Sequence, residues 1–155
     1  MATGMNVPAT AKVKRGKYLA TVPPQEILPI VNSQFESSVK GIFLIGDVTG
    51  LPLVKVAANQ GKEFIDKLNA SGRVAKSQDE EGLDLVIIGA GPAGISAAIA
   101  ASKLGWKYVV LERSKIASTV RSFPPGKKVY AEPRSIPNVS DLDVSEDKDR
   151  TIFCI

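Results

Sequence analysis

Leu83-Asp84-Leu85-Val86-Ile87-Ile88-Gly89-Ala90-Gly91-Pro92-Ala93-Gly94-Ile95 is the stretch on which the fold class turns. Residues 84–88 form an apolar run without alternation once past the aspartate, the pattern of a parallel strand covered on both faces. A glycine-rich turn from Gly89 to Gly94 ends it. Residues 95–104 follow, rich in alanine as a closely packed helix would be, with Lys103 and Gly105 as a C-terminal stop. Tyr108-Val109-Val110-Leu111 reads as the next strand and ends at Glu112. Strand, turn, helix and strand in this order make a βαβ unit, so the expected class is α/β, Rossmann-like, with parallel strands.

Within the turn the glycines fall as G-x-G-x-x-G: Gly89, Gly91 and Gly94, with Pro92 and Ala93 between the last two. The spacing alone is weak, but a preceding strand, a helix opening inside it and an acid closing the next strand supply the required context. Gly89 suits a turn that a Cβ would hinder. Gly91 lets backbone approach a pyrophosphate, and Gly94 lets the helix pack closely on the strands. The first helical turn offers free amides and the positive end of its dipole to phosphate groups. Glu112 stands where its carboxylate can accept hydrogen bonds from both hydroxyls of a ribose. The same charge would repel a 2′-phosphate, which favours FAD or NAD over NADP, although Arg113 beside it weakens that preference. The alternative is a glycine-rich turn with no ligand.

Upstream, Lys17-Tyr18-Leu19-Ala20-Thr21-Val22 reads as a short strand ended by Pro23-Pro24, and Ile42-Phe43-Leu44-Ile45 as a strand buried on both faces. The second run stops at Gly46-Asp47. After Thr49, Gly50 and Pro52 a helical period begins, with Val54, Ala57, Ala58, Gly61, Phe64, Ile65 and Leu68 on one face. Lys55, Asn59, Lys62, Glu63, Asp66 and Lys67 take the other, where Glu63 and Lys67 are spaced for an i,i+4 ion pair. Pro52 suits a first helical turn. An acid ending a parallel strand sits where open α/β sheets bind ligands, so Asp47 is either a ligand residue meeting sugar-like hydroxyls or a cap that orders its turn. The helix start after it would stabilise negative charge on a reduced flavin.

Four segments follow: a block at 1–68, a polar linker at 69–82, the βαβ block at 83–140, and a loose or truncated tail at 141–155. Both blocks carry apolar strands that must be covered, so a shared parallel sheet is expected, with Gly46-Asp47 and Gly89–Gly94 emerging at one edge. Trp106 and Tyr108 read as packing residues, and Lys127-Lys128 as a solvated turn.

In 155 residues there is 44% hydrophobic content, enough for the core of about one domain, and a net charge of +4 from dispersed lysines and arginines. A nucleic-acid partner would call for a denser basic stripe. With no histidine and a single cysteine, Cys154, the chain has no internal disulfide, no dithiol redox pair and no metal site built on cysteines. No apolar run approaches the ~20 residues of a membrane span and no signal-peptide core is present, so the cytoplasm is the expected compartment.

Lys40-Gly41-Ile42-Phe43-Leu44-Ile45-Gly46-Asp47-Val48 resembles the late motif of thioredoxin-reductase-like flavoproteins, members of the FAD-dependent pyridine-nucleotide-disulfide oxidoreductases. Residues 32–39 are similar to the segment leading into that motif, and Met1-Ala2-Thr3-Gly4 to the family's short Ala-Thr-Gly strand end. The block from residue 83 resembles the family's FAD segment, and its continuation at 116–124 is similar to the bacillithiol-disulfide-reductase-like branch. The resemblance implies an FAD-binding function in which Asp47 meets the ribitol, and the helix backbone around Lys55 and Val56 approaches the flavin ring. The family passes electrons from NADPH through the flavin to a disulfide. Here the late motif precedes the early one, and the nicotinamide domain and paired cysteines are missing. That order implies either the join in a longer fusion or a permuted FAD half-site. Either way the expected partner is the rest of a larger flavoprotein or a second subunit, with no catalytic residue or metal ligand in this chain. The alternatives are an NAD-binding dehydrogenase fragment, in which Asp47 is structural, and a non-catalytic dinucleotide-binding regulatory module.

Overall fold

Leu85–Ile88 is a strand, and Tyr108–Leu111 pairs with it in parallel, in register from Leu85 with Tyr108 to Ile88 with Leu111. The computed structural model describes residues 12–15, 18–21, 28–74 and 81–148. Its elements are β1 (Lys12–Arg15), β2 (Tyr18–Thr21), α1 (Val54–Ala70), β3 (Leu85–Ile88), α2 (Pro92–Lys103), β4 (Tyr108–Leu111) and α3 (Ser118–Arg121). The protein is thus α/β, and the expected βαβ unit is β3–α2–β4. Residues 1–4, 23–24, 75–80 and 151–155, on which other expectations rest, lie outside the described set.

α2 starts earlier than the glycine pattern suggests. Gly91 is its N-cap, Pro92 opens it, and the Ile95 amide already donates to the Gly91 carbonyl at 2.9 Å. Proline at the first helical position loses no hydrogen bond and carries a helical φ in advance, so Pro92, Ala93 and Gly94 form the first turn. The exit is as read: Gly105 has φ 69° just beyond the last turn.

The long helix follows its apolar period, with Ala57, Ala58, Gly61, Phe64, Ile65 and Leu68 buried. It begins at Val54, so Pro52 precedes it rather than opening it. Lys55 and Asn59, expected on the solvent face, are buried at 3% and 8% exposure. A second neighbour covers that side. Lys55 Nζ donates to the carbonyls of Ala131 (2.7 Å) and Pro133 (2.5 Å). Asn59 donates to the Pro137 carbonyl at 2.8 Å and accepts the Val139 amide at 3.0 Å. The remaining polar positions stay at the surface, where Glu63–Lys67 (2.8 Å) and Lys62–Asp66 (2.5 Å) form i,i+4 pairs.

α1 packs on α2 at very short range. A Cβ built on Gly61 would lie 2.2 Å from the Ala93 carbonyl oxygen, so only a glycine permits the approach. One core, around Phe64, Ile65, Ile87, Ala101 and Trp106, joins both helices to β3; Trp106 and Tyr108 are packing residues, as expected. A second, around Ala58, Ile95, Val120, Val129, Leu142 and Val144, joins them to the C-terminal segment. Residues 141–148 are therefore not a loose tail. Leu142 and Val144 are buried, Lys103 pairs with Asp141, and Val129 and Lys148 form an antiparallel bridge.

The shared parallel sheet does not form. Residues 42–45 pair locally instead: Ser37 N donates to Ile42 O at 2.8 Å, Leu44 N donates to Phe35 O at 2.9 Å, and Phe43 bridges Glu36. An apolar groove of about 920 Å³ runs between 41–45 and 83–88. Ile42 is 51% exposed rather than buried on both faces. β3 is covered on one face only, with Ile87 buried and Val86 and Ile88 exposed. β2, within the short strand read at residues 17–22, pairs antiparallel with β1. Helix packing, not strand pairing, joins the two blocks.

Among the described residues no helix is long and apolar enough to cross a membrane, and no cluster of histidine, cysteine or acidic side chains could hold a metal ion.

Candidate functional site

Each fingerprint glycine has a distinct surrounding. Gly89 sits at φ 98°, a backbone conformation that L side chains rarely adopt. A Cβ on Gly94 would lie 2.0 Å from the Gly89 carbonyl oxygen and 3.3 Å from Ile87, so this glycine allows helix and strand to meet. A Cβ on Gly91 would meet nothing within 4 Å. That open space is where a ligand could approach the backbone. No side chain caps α2. The amides of Ala93 and Gly94, in the first turn, point out of the helix with the positive end of its dipole behind them.

Glu112 ends β4 beside this turn. Its Oε2 accepts the Ala90 amide at 2.8 Å and its Oε1 the Ser114 amide at 2.9 Å. The Ala90 and Ser114 amides, in that order, hold its carboxyl below the ordinary value, with a smaller contribution from the charge of Arg113. A carboxylate has about four acceptor positions, so both oxygens keep capacity for ribose hydroxyls. Glu112 also ties the two turns together, a role its sequence position did not disclose. The Ala117 amide adds a second tie, donating to the Ala90 carbonyl at 2.8 Å.

From the other block, Gly46 reaches the start of α2: a Cβ on Gly46 would stand 3.0 Å from that of Ala93. Asp47 opens a short 3-10 turn, Asp47–Thr49, for which Gly46 is the N-cap, and the N-cap of α1 is Leu53. Asp47 therefore caps neither element. Its carboxylate has no hydrogen-bond partner among the described residues.

A single cavity of about 410 Å³ joins these parts, within the size range of small-molecule sites. Gly46, Asp47, Gly89, Gly91, Pro92, Ala93, Gly94, Glu112 and Arg113 all line it. Lys55 and Val56 do not; the helix reaches the cavity through Val54 and Ala57, while the Lys55 side chain serves the 131–133 carbonyls. Ser118, Thr119 and Phe123, from the 116–124 continuation, line it as well, although no site role was read for them in sequence. The cavity thus presents an open glycine and helix amides suited to a pyrophosphate, together with two separate acidic groups suited to sugar hydroxyls. A dinucleotide carrying a second polyol fits this donor set.

Residues 86–151 match the family model described as pyridine nucleotide-disulphide oxidoreductase. The matched region contains α2, β4, α3 and Glu112 and ends beyond the 141–148 segment. No curated protein and no solved structure matches the chain.

Proposed function

We propose that this chain binds FAD and forms the FAD-binding portion of a thioredoxin-reductase-like flavoprotein of the pyridine nucleotide-disulphide oxidoreductases. One observation carries the reading: Asp47 and the Gly89–Gly94 turn, from blocks far apart in sequence, line one cavity together with Glu112. Gly91 and the first-turn amides of α2 would hold the pyrophosphate, Glu112 the adenosine ribose and Asp47 the ribitol. Bound flavin would supply electron transfer between a nicotinamide and a disulfide. With a lone cysteine and one glycine fingerprint, this chain does not complete that cycle alone and works with the rest of a larger flavoprotein or a second subunit.

Asp47→Ala tests the assignment. A hydrogen bond to a charged group contributes about 1.5–3 kcal/mol, so FAD affinity should fall by roughly one to two orders of magnitude. NAD lacks ribitol and should be much less affected. Equal weakening of both ligands, or a wild-type chain that prefers NAD, would replace this reading by an NAD-binding one.

A further inference from the structure

The turn that carries Asp47 is held by one side chain of the neighbouring helix. Gln60, half-buried on α1, accepts the Gly46 amide on Oε1 at 2.8 Å. Its Nε2 donates to Thr49 Oγ1 at 3.2 Å, and Thr49 Oγ1 donates to the Gly46 carbonyl at 2.8 Å. Gln60 Oε1 also lies 3.3 Å from Thr49 Oγ1, but the hydroxyl has one proton and the shorter contact with Gly46 takes it. Gly46, Gln60 and Thr49 thus close a ring in which each donates once and accepts once.

The turn has two backbone hydrogen bonds of its own, Thr49 N to Gly46 O and Gly50 N to Asp47 O, both at 2.9 Å, and the ring adds a grip on its two ends from outside. Gly46 has φ 81° and ψ −154°, a region restricted essentially to glycine and kept only where surrounding contacts over-determine it. Asp47 follows directly, and its carboxylate has no anchor among the described residues. The direction of that carboxylate therefore follows its backbone, to which Gln60 supplies the anchor from outside the turn at the Gly46 amide. The ring needs an acceptor and a donor on one planar group, which a carboxamide supplies. Glutamate would lack the donor and set a second negative charge near Asp47.

We infer that Gln60 is a positioning residue that aims Asp47 into the cavity and so determines affinity for the polyol half of the ligand but not for its adenosine half. This rests on the FAD reading above. The adenosine half is held from Gly91 and Glu112, in the other block, to which the ring makes no hydrogen bond.

The test titrates the full chain with FAD, followed by flavin fluorescence, and with ADP, followed by calorimetry. Gln60→Met, a helix-compatible change that removes both polar atoms, should weaken FAD about tenfold and ADP by less than about twofold. Thr49→Val breaks the ring at another member and should give the same split, which decides the matter should Gln60→Met fail to fold. In an Asp47→Ala background, Gln60→Met should cost nothing further, because the group it positions is gone. Equal losses on FAD and ADP, or additive losses in the double variant, would overturn the role of Gln60 while leaving the FAD reading intact. A wild-type chain that binds ADP as tightly as FAD would instead overturn the FAD reading itself.

Discussion

Gly61→Ala adds one methyl group at the crossing of α1 and α2, and two effects of opposite sign make the outcome informative. In an isolated helix the change stabilises, because alanine exceeds glycine by about 1 kcal/mol in helix propensity. In this protein the new Cβ would stand 2.2 Å from the Ala93 carbonyl oxygen and 3.0 Å from the Ala97 amide nitrogen. Backbone atoms on both sides leave no flexible side chain to move away, so the helices must part by roughly 1 Å, a gap that forfeits a quarter to a half of each dispersion contact it opens. Ala57, Ala58, Ala97 and Ala101, each within 1% of full burial, all belong to this region. Overpacking of this kind typically costs about 1–3 kcal/mol, which outweighs the propensity gain at most of its range. Urea unfolding should show a midpoint lower by roughly 0.5–1 M at an unchanged slope. Because Gly46 lies against Ala93, the same parting should draw Asp47 away from the glycine turn and weaken FAD binding. A variant as stable as the wild type, or more stable, would refute the close crossing and with it the account of how the two blocks are joined.

The fingerprint glycines should separate cleanly: Gly91→Ala, whose Cβ meets open space, should keep the thermal midpoint but lose FAD affinity, whereas Gly94→Ala should lose stability first. Paired thermal melts and FAD titrations check this, and loss of stability in Gly91→Ala would contradict it. A third expectation concerns acid. Arg73 at 2.5 Å, and then the Gly41 amide, lower the Glu36 carboxyl from 4.5 to about 2. A depressed folded-state value means that this pair stabilises the protein above about pH 4.5, and that the contribution fades as pH falls toward about 2. Glu36→Gln should therefore be less stable than wild type at neutral pH, with the gap in urea midpoint closing across that acid window; a gap independent of pH would refute the pair's role.

The βαβ unit was legible in sequence because its signals are local. An apolar run, glycines at fixed offsets, an alanine-rich helix and a terminal acid each act through neighbours in the chain, and Leu85–Ile88, α2 and Tyr108–Leu111 emerged as read. Gly89 and Gly94 have the turn conformation and close approach expected of them, and Gly91 faces open space. The apolar face of α1 was equally plain, since a 3.6-residue period needs no knowledge of what covers it.

What covers each surface was settled only in three dimensions. Hydrophobicity requires that 42–45 be covered but is non-directional, so it cannot choose between a β3 ladder and local pairing with 35–37. Lys55 and Asn59 looked solvent-facing because polarity predicts water unless a partner is known, and their partners are backbone groups of 131–139, far along the chain. Residues 141–148 looked loose because their acids dominate the composition, while Leu142 and Val144 found a core that the other elements had built. The Gln60 ring had no signature, since a glutamine becomes a positioning group only when a helix brings it beside a strained glycine. The sequence by itself determined β3, α2, β4, the apolar face of α1 and the form of the glycine turn, which short-range backbone geometry dictates. The meeting of Asp47 with that turn was expected through a shared sheet; tertiary structure brings it about instead by a helix crossing whose closeness is set at Gly61 and Ala93 together, which no local signal specifies.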